Sequence, residues 1–487
     1  MDSSYLIQAI ARCEQAVAAK SDNPEALPEA FADLGNLLQG MGQFDRAIVW
    51  HSLALESDAN LGEVYCQLGE LYILESNWSA ALGCFEKAIE YLPNSAKVYA
   101  SLAQIHGQLQ HKEAEMDCWY QAVQINPNLV NNSGYYKLAK ALEQRRKIDQ
   151  AVFCYQKATE GKQGLLGAWF DLGDIYQRQL KLDSAQTAYG KILAVEPTAA
   201  RAQYKLGTIH LQKREFEQAI DCFRQTIKNA PELPWAYRDL VRTFLILQRW
   251  DEAISTCYAI LNLVEEYPWV YSHLGNALRE KGKLAEAAKN FQKACASRGW
   301  QKCLQRDYFF TRDLFSHRID IWSECLQSLS QSSGVNALEV GFYQGMSACW
   351  LLDYILRDES DRLTCIDLYF PRQFQQNLVK AQAETKVNCL KGDTQEQLAS
   401  LSEQSFDLIN LQDRSKLAND VEQTTQLAWK LLKPQGIMIF NYYGFRDPAN
   451  AQHNPKLGID RFLGKIKDQW EQVHLSLPTF QLIVRKL

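Results

Sequence analysis

At 487 residues the chain exceeds one ordinary core, so two or more folding units are expected. A formal net charge of −5, with 47% hydrophobic and 22% charged residues, describes a globular chain and excludes a strongly basic binder of nucleic acid or anionic membrane. The opening Met-Asp-Ser-Ser-Tyr is not a signal peptide, and no apolar run approaches the roughly 20 residues of a bilayer span. The thirteen cysteines are scattered without a C-x-x-C pair. Cys84, Cys118, Cys154 and Cys222 read as small core residues, so a reducing, cytoplasmic setting is expected.

In chain order, residues 1–27 read as a lone N-terminal capping helix, ending at Asn23-Pro24. From 28 to 300 a 34-residue pattern recurs eight times, with copies starting at 28, 62, 96, 132, 166, 200, 234 and 268. One step, near Asn131 and Asn132, is 36. The clearest copy carries Trp169, Leu172, Gly173, Tyr176, Ala185, Tyr189 and Pro197. This resembles the tetratricopeptide signature, which implies eight helix pairs stacked into an all-α superhelical solenoid. In the second copy Tyr65, Leu68 and Tyr72 share one helix face, Gly69 admits a partner helix, and Pro93 ends the second helix. These residues belong to the fold. Function is expected on the concave face between them. There Arg201, Arg238, Arg242 and Arg279, edged by Trp235 and Trp269, form a basic groove suited to an acidic protein or peptide partner. The plain alternative is a solvated charged face.

The period stops at Trp300, and residues 301–334 read as a linker and lead-in helix. From 335 to 487 the texture becomes α/β. Strands are expected at 335–340, 363–367, 386–390, 406–411 and 436–441, with helices at 346–356, 372–384, 394–401 and 416–432 between them. Alternation of this length predicts a doubly wound, Rossmann-like parallel sheet, closed by an antiparallel pair at 472–477 and 480–485. In such a sheet a ligand sits at the carboxyl ends of the central strands. Three groups fall there: Glu339-x-Gly341-x-x-x-Gly345, Asp367, and Gly392-Asp393-Thr394. Tyr343 occupies the middle glycine slot of a dinucleotide fingerprint, which counts against a pyrophosphate and leaves room for a simpler nucleoside.

Residues 337–347, 363–369 and 427–440 together resemble the class I S-adenosylmethionine-dependent methyltransferases, most closely the macrocin O-methyltransferase-like group, over about 313–487. Asp313-Leu-Phe-Ser-His317 and Asn454-Pro-Lys-Leu-Gly-Ile-Asp460 are similar to its flanking segments. The resemblance implies that Glu339, Gly341, Gly345 and Ser347 hold the methionine part of S-adenosylmethionine, Asp367 the ribose, and Asp393 the adenine side. It also implies a divalent metal held by aspartates after strands four and five. Here strand five ends Asn441-Tyr442. After strand four, either Gln412 stands in the aspartate position, or Asp413 does with one residue inserted and Lys416 in place of the family's histidine. Mg²⁺ prefers carboxylate oxygens, so a metal-dependent reaction is not expected. The catalytic candidates are Asp413, His317 and Tyr442. Two functions follow: a repeat scaffold that brings a small-molecule, carrier-bound or peptide acceptor to an O-methyltransferase, or a catalytically inactive methyltransferase-like domain in an assembly factor.

Overall fold

The structure is a computed structural model. It describes residues 26–487 except 162–164, 264–266, 413–416, 446, 448, 449, 451, 452 and 477–479, together with residues 7, 8 and 11. Most of the expected capping helix, together with Asp413 and Lys416, thus lies outside the described residues. The chain divides into two compact units, Met1–Ile209 and His210–Leu487.

The first unit is built of antiparallel helix pairs, among them Gly62–Leu74 with Trp78–Tyr91 and Leu166–Arg178 with Leu182–Val195. First helices begin at Gly62, Ala96, Asn132 and Leu166, in step with the sequence period. The packing shows why the signature residues recur. A Cβ on Gly69 would lie 2.6 Å from the Phe85 ring, so the absent side chain is what lets the second helix insert its aromatic. Ala81 and Phe85 are fully buried there. Ser76, Gln110, Arg146 and Leu180 share one left-handed position in the turn between paired helices. Their spacing is 34, 36 and 34, so the two-residue insertion is absorbed between Gln110 and Arg146.

The second unit continues the pairs with Pro234–Ile246, Trp250–Leu261, Pro268–Glu280 and Leu284–Ala296. Residues 300–322 then build an aromatic core. Trp300, Tyr308, Phe310, Phe315 and Trp322 are buried and meet Trp350. Asp353 ties them down, accepting from Trp300 Nε1 at 2.7 Å and pairing with Arg306 at 3.1 Å.

The sheet follows. Its strands are β1 (Asn336–Val340), β2 (Arg362–Asp367), β3 (Val387–Lys391), β4 (Phe406–Leu411), β5 (Leu432–Phe440), β6 (Trp470–Ser476) and β7 (Gln481–Lys486). Their order is β3-β2-β1-β4-β5-β7-β6. The first five are parallel, and β7 lies antiparallel between β5 and β6. Helix α1 (Met346–Tyr354) follows β1, and α2 (Arg372–Ala381) follows β2. Both pack in one apolar layer with Ala337, Leu408, Ile439 and Ile483. Helices α3 (Ala418–Leu431) and α4 (Pro455–Lys465) cover the other face. The architecture is the expected one, a helical repeat array and a doubly wound sheet.

Candidate functional site

β1 delivers the chain to a tight turn at the carboxyl edge of the sheet. Gly341 (φ 73°), Tyr343 (φ 56°) and Gly345 (φ 77°) are left-handed. Gly341 N–H donates to Ile366 at 2.9 Å and Gln412 N–H donates to Val340 at 2.8 Å, so the turn is clamped between β2 and β4. A Cβ on Gly345 would lie 2.3 Å from the Phe374 ring. That ring packs tilted against Phe342, with centroids 4.5 Å apart. Gly345 therefore admits an aromatic from α2, and Gly341 is the glycine left at the strand end.

Below the turn runs a buried polar row on the face otherwise lined by Ala337, Leu408, Ile439 and Ile483. Gln481 Nε2 donates to Asn441 Oδ1 at 2.7 Å, Asn441 Nδ2 to Asn410 Oδ1 at 2.6 Å, and Asn410 Nδ2 to Glu339 Oε1 at 3.1 Å. Ser347 Oγ also donates to Glu339 Oε1. Glu339, Asn410 and Gln481 are fully buried. Every N–H in the row points toward the carboxyl, which favours its charge, but burial outweighs this and raises the Glu339 pKa from 4.5 to about 7. Glu339 Oε2 is buried without a partner. Asn410 and Gln481 were missed as site residues by sequence reading. The available signal was a polar side chain in a strand whose alternate positions are apolar.

Asp367 ends β2 and is buried. Its Oδ1 accepts from Tyr369 N–H at 3.4 Å, and its carbonyl accepts from Gly392 N–H at 3.2 Å. Asp393 is exposed and occupied as a helix cap, accepting from Gln395 and Glu396 N–H at 2.9 and 3.2 Å. A cleft lined by Arg312, Phe315, Tyr343, Ser347 and Gln412 opens beside the turn, with about 10 Å³ of room. That is enough for one water.

The segment roofing the cleft is fixed by Asp313. Its Oδ1 accepts from Phe315 and Ser316 N–H, and its Oδ2 from the hydroxyls of Ser316 and of Ser272 in Pro268–Glu280. His317 and Arg318 follow in the same 3₁₀ turn. His317 is exposed at its surface, yet the protein around it and then the Arg318 charge lower its pKa to about 4, which leaves its ring neutral at pH 7. Tyr442 sits past β5 with φ 62°, its ring 6.4 Å from that of Phe445 and close enough to act on the Arg318 charge. His317 and Tyr442 thus both lie near Arg318, a residue that sequence reading did not single out.

Residues 338–443 match the pattern of a methyltransferase-domain family. Residues 269–299 match a tetratricopeptide repeat, and 96–279 match the C-terminal ARM domain of tetratricopeptide repeat protein 21. The chain joins a tetratricopeptide-repeat array to a methyltransferase-type domain. The matched part of that domain holds Glu339, Gly341, Gly345, Ser347, Asp367, Asp393, Asn410 and Asn441. Among solved structures, MamA from Desulfovibrio magneticus RS-1 is 18% identical, covering 36% of this chain and 95% of its own, with a TM-score of 0.32. YrrB, described as a TPR protein with an unusual peptide-binding site, is 19% identical over 46% of this chain and 96% of its own, with a TM-score of 0.22. A Naa15/Naa10 complex bound to HypK-THB is 13% identical over 62% and 47%, with a TM-score of 0.42. No curated protein matches the chain.

In the repeats, Arg201 lies over the Phe170 ring at 4.8 Å. Arg238 and Arg242 both reach the buried Asp239, at 3.3 and 3.4 Å, and Arg279 pairs with Glu280. The expected basic groove is therefore partly neutralised on its own helices. Among the described residues, no helix is long and apolar enough to cross a membrane.

Proposed function

We propose that the methyltransferase-type domain binds S-adenosylmethionine and transfers its methyl group, without a metal, to an acceptor recruited by the repeats. The observation that carries this reading is Glu339. A fully buried carboxylate oxygen without a partner, beside a glycine turn at the carboxyl edge of a parallel sheet, fits a donor from an incoming ligand. The amino group of S-adenosylmethionine is such a donor. Gly341 leaves the approach free of a side chain, Asp367 offers a carboxylate to the ribose, and Ser347 orients Glu339. Asp393 shapes the adenine side while capping its helix. When bound, the cofactor supplies a methyl group on a cationic sulfur, and positioning of the acceptor supplies much of the rate.

The described residues at this edge do not fit a divalent metal. Asn410 and Asn441 spend their amide oxygens on each other's row, and Mg²⁺ favours carboxylates. His317, neutral at pH 7, and Tyr442 are the groups we assign to the acceptor side. The acceptor arrives through a protein or peptide partner on the repeats, at Arg238, Arg242 and Arg279 in the second unit and at Arg201 in the first. The closeness of the cleft favours a second reading, an inactive domain in an assembly factor, because a nucleoside requires the roof at 312–315 to yield. Incubating the full chain and its captured partners with methyl-labelled cofactor in EDTA separates the two. Label on a partner is expected. Bound cofactor with no label on any partner selects the second reading, and an absence of cofactor binding ends the first.

A further inference from the structure

Arg318 keeps 6% of its surface in contact with water, and its Nε has no hydrogen-bond partner. It forms no ion pair with any described residue. A buried guanidinium without a counter-ion is costly, because the charge has lost its water and gained nothing. Asp313 favours that charge through space but does not pair with it. Both oxygens of Asp313 are taken by Ser272, Phe315 and Ser316. A second arginine is exposed at the cleft itself. Arg312 lines the cleft, lies 5.9 Å from the Tyr343 ring centroid, and pairs with no described carboxylate. Asp313 also acts on His273 of the last repeat. His273 is pushed down to about 4 by burial and then by Arg242 and Arg238, so its ring is neutral beside them. Asp239, the acid facing those two arginines, is already shared between them.

We infer that Arg318, three residues past Phe315 of the cleft wall, together with Arg312 of the lining, receives a carboxylate carried by the small molecule that the cleft binds. The planar fork of a guanidinium matches a carboxylate with two parallel hydrogen bonds, and a dry setting strengthens both. This rests on the reading of the cleft as a ligand site. The carboxylate comes from the amino-acid end of the cofactor or from the acceptor.

The test uses the full chain as wild type, R318M and R318K. Each is melted in sodium acetate and in sodium chloride of equal ionic strength. Each is also titrated with S-adenosylhomocysteine and with methylthioadenosine, the same thionucleoside without the amino-acid end. Acetate is expected to raise the wild-type melting temperature above the chloride value, R318K to keep part of that shift and R318M none. If S-adenosylhomocysteine alone loses tenfold or more in R318M, the carboxylate is the cofactor's. If both nucleosides bind R318M unchanged while the acetate shift is lost, it is the acceptor's. Should R318M not fold, R318K carries the comparison, with a reduced shift expected. A wild type that acetate does not stabilise beyond chloride overturns the inference, whether or not the nucleosides bind. An acetate shift without nucleoside binding overturns the cofactor reading and leaves the anion site standing.

Discussion

Leu180 holds a left-handed φ of 59° with 75% of its surface exposed. A side chain in that conformation costs about 1 kcal/mol, and nothing packed against Leu180 repays it. Gly42 and Gly282 fill the same turn position in the first and last repeats without that cost. L180G is therefore expected to stabilise the array by about 0.5 kcal/mol, after the greater freedom glycine gains on unfolding, as read from the urea midpoint at constant slope. Glu339 makes the opposite kind of residue-scale statement. Its folded pKa of about 7 lies above the ordinary 4.5, so the folded state holds the proton longer than the unfolded one. Stability from this group is full below pH 4.5, falls as pH rises to about 7, and is then level, a loss of roughly 3 kcal/mol. Urea titrations of E339Q from pH 4 to 9 should show that decline flattened; an unchanged decline contradicts the assignment.

The hydrogen-bonded row from Gln481 to Glu339 is an element-scale device, because it joins β7, β5, β4 and β1 at one level of the sheet. Asn441 is its pivot. Its Nδ2 donates to Asn410 Oδ1 and, at 3.3 Å, to the Leu411 carbonyl. N441D turns that donor into an acceptor facing two oxygens, so it should cost about 2–4 kcal/mol at neutral pH and recover in acid as the new carboxyl protonates. Thermal melts of the full chain at pH 5 and pH 8 measure this. The helix pairs were legible because each repeat states its own periodicity, from Gly69 opposite Phe85 to the turn at Ser76. The central strands β1, β2, β4 and β5 were legible because each carries an apolar run between turn residues, although β5 begins at Leu432, ahead of the expected 436. The row was not legible. Asn410, Asn441 and Gln481 are far apart in sequence, and only the insertion of β7 beside β5 aligns them. The same limit hid Arg318, whose meaning lies in lacking a partner, and Phe374, which fills the space before Gly345.

For the second unit, the last repeats and the sheet are less separable than their patterns. Trp300, where the period stops, is fully buried and donates to Asp353 of α1. Ser272 of a repeat helix holds Asp313 of the cleft roof. W300A should accordingly destabilise the sheet domain by about 3–5 kcal/mol, from lost burial and an orphaned carboxylate oxygen, as followed by hydrogen exchange in β1 and β4. A sheet domain unmoved by this change would mean that the array is only a tether. A partner docking on the last repeats has, through Ser272 and Asp313, a physical route to the roof that must yield before a nucleoside can enter.

That edge of the sheet is a nucleoside site that works without a metal in the function proposed for this chain. Calorimetric titration of the full chain with S-adenosylhomocysteine in EDTA, beside D367A, addresses it directly. One saturable site per chain, weakened tenfold or more by D367A, is the expected result. No heat of binding, or equal binding by D367A, would contradict it.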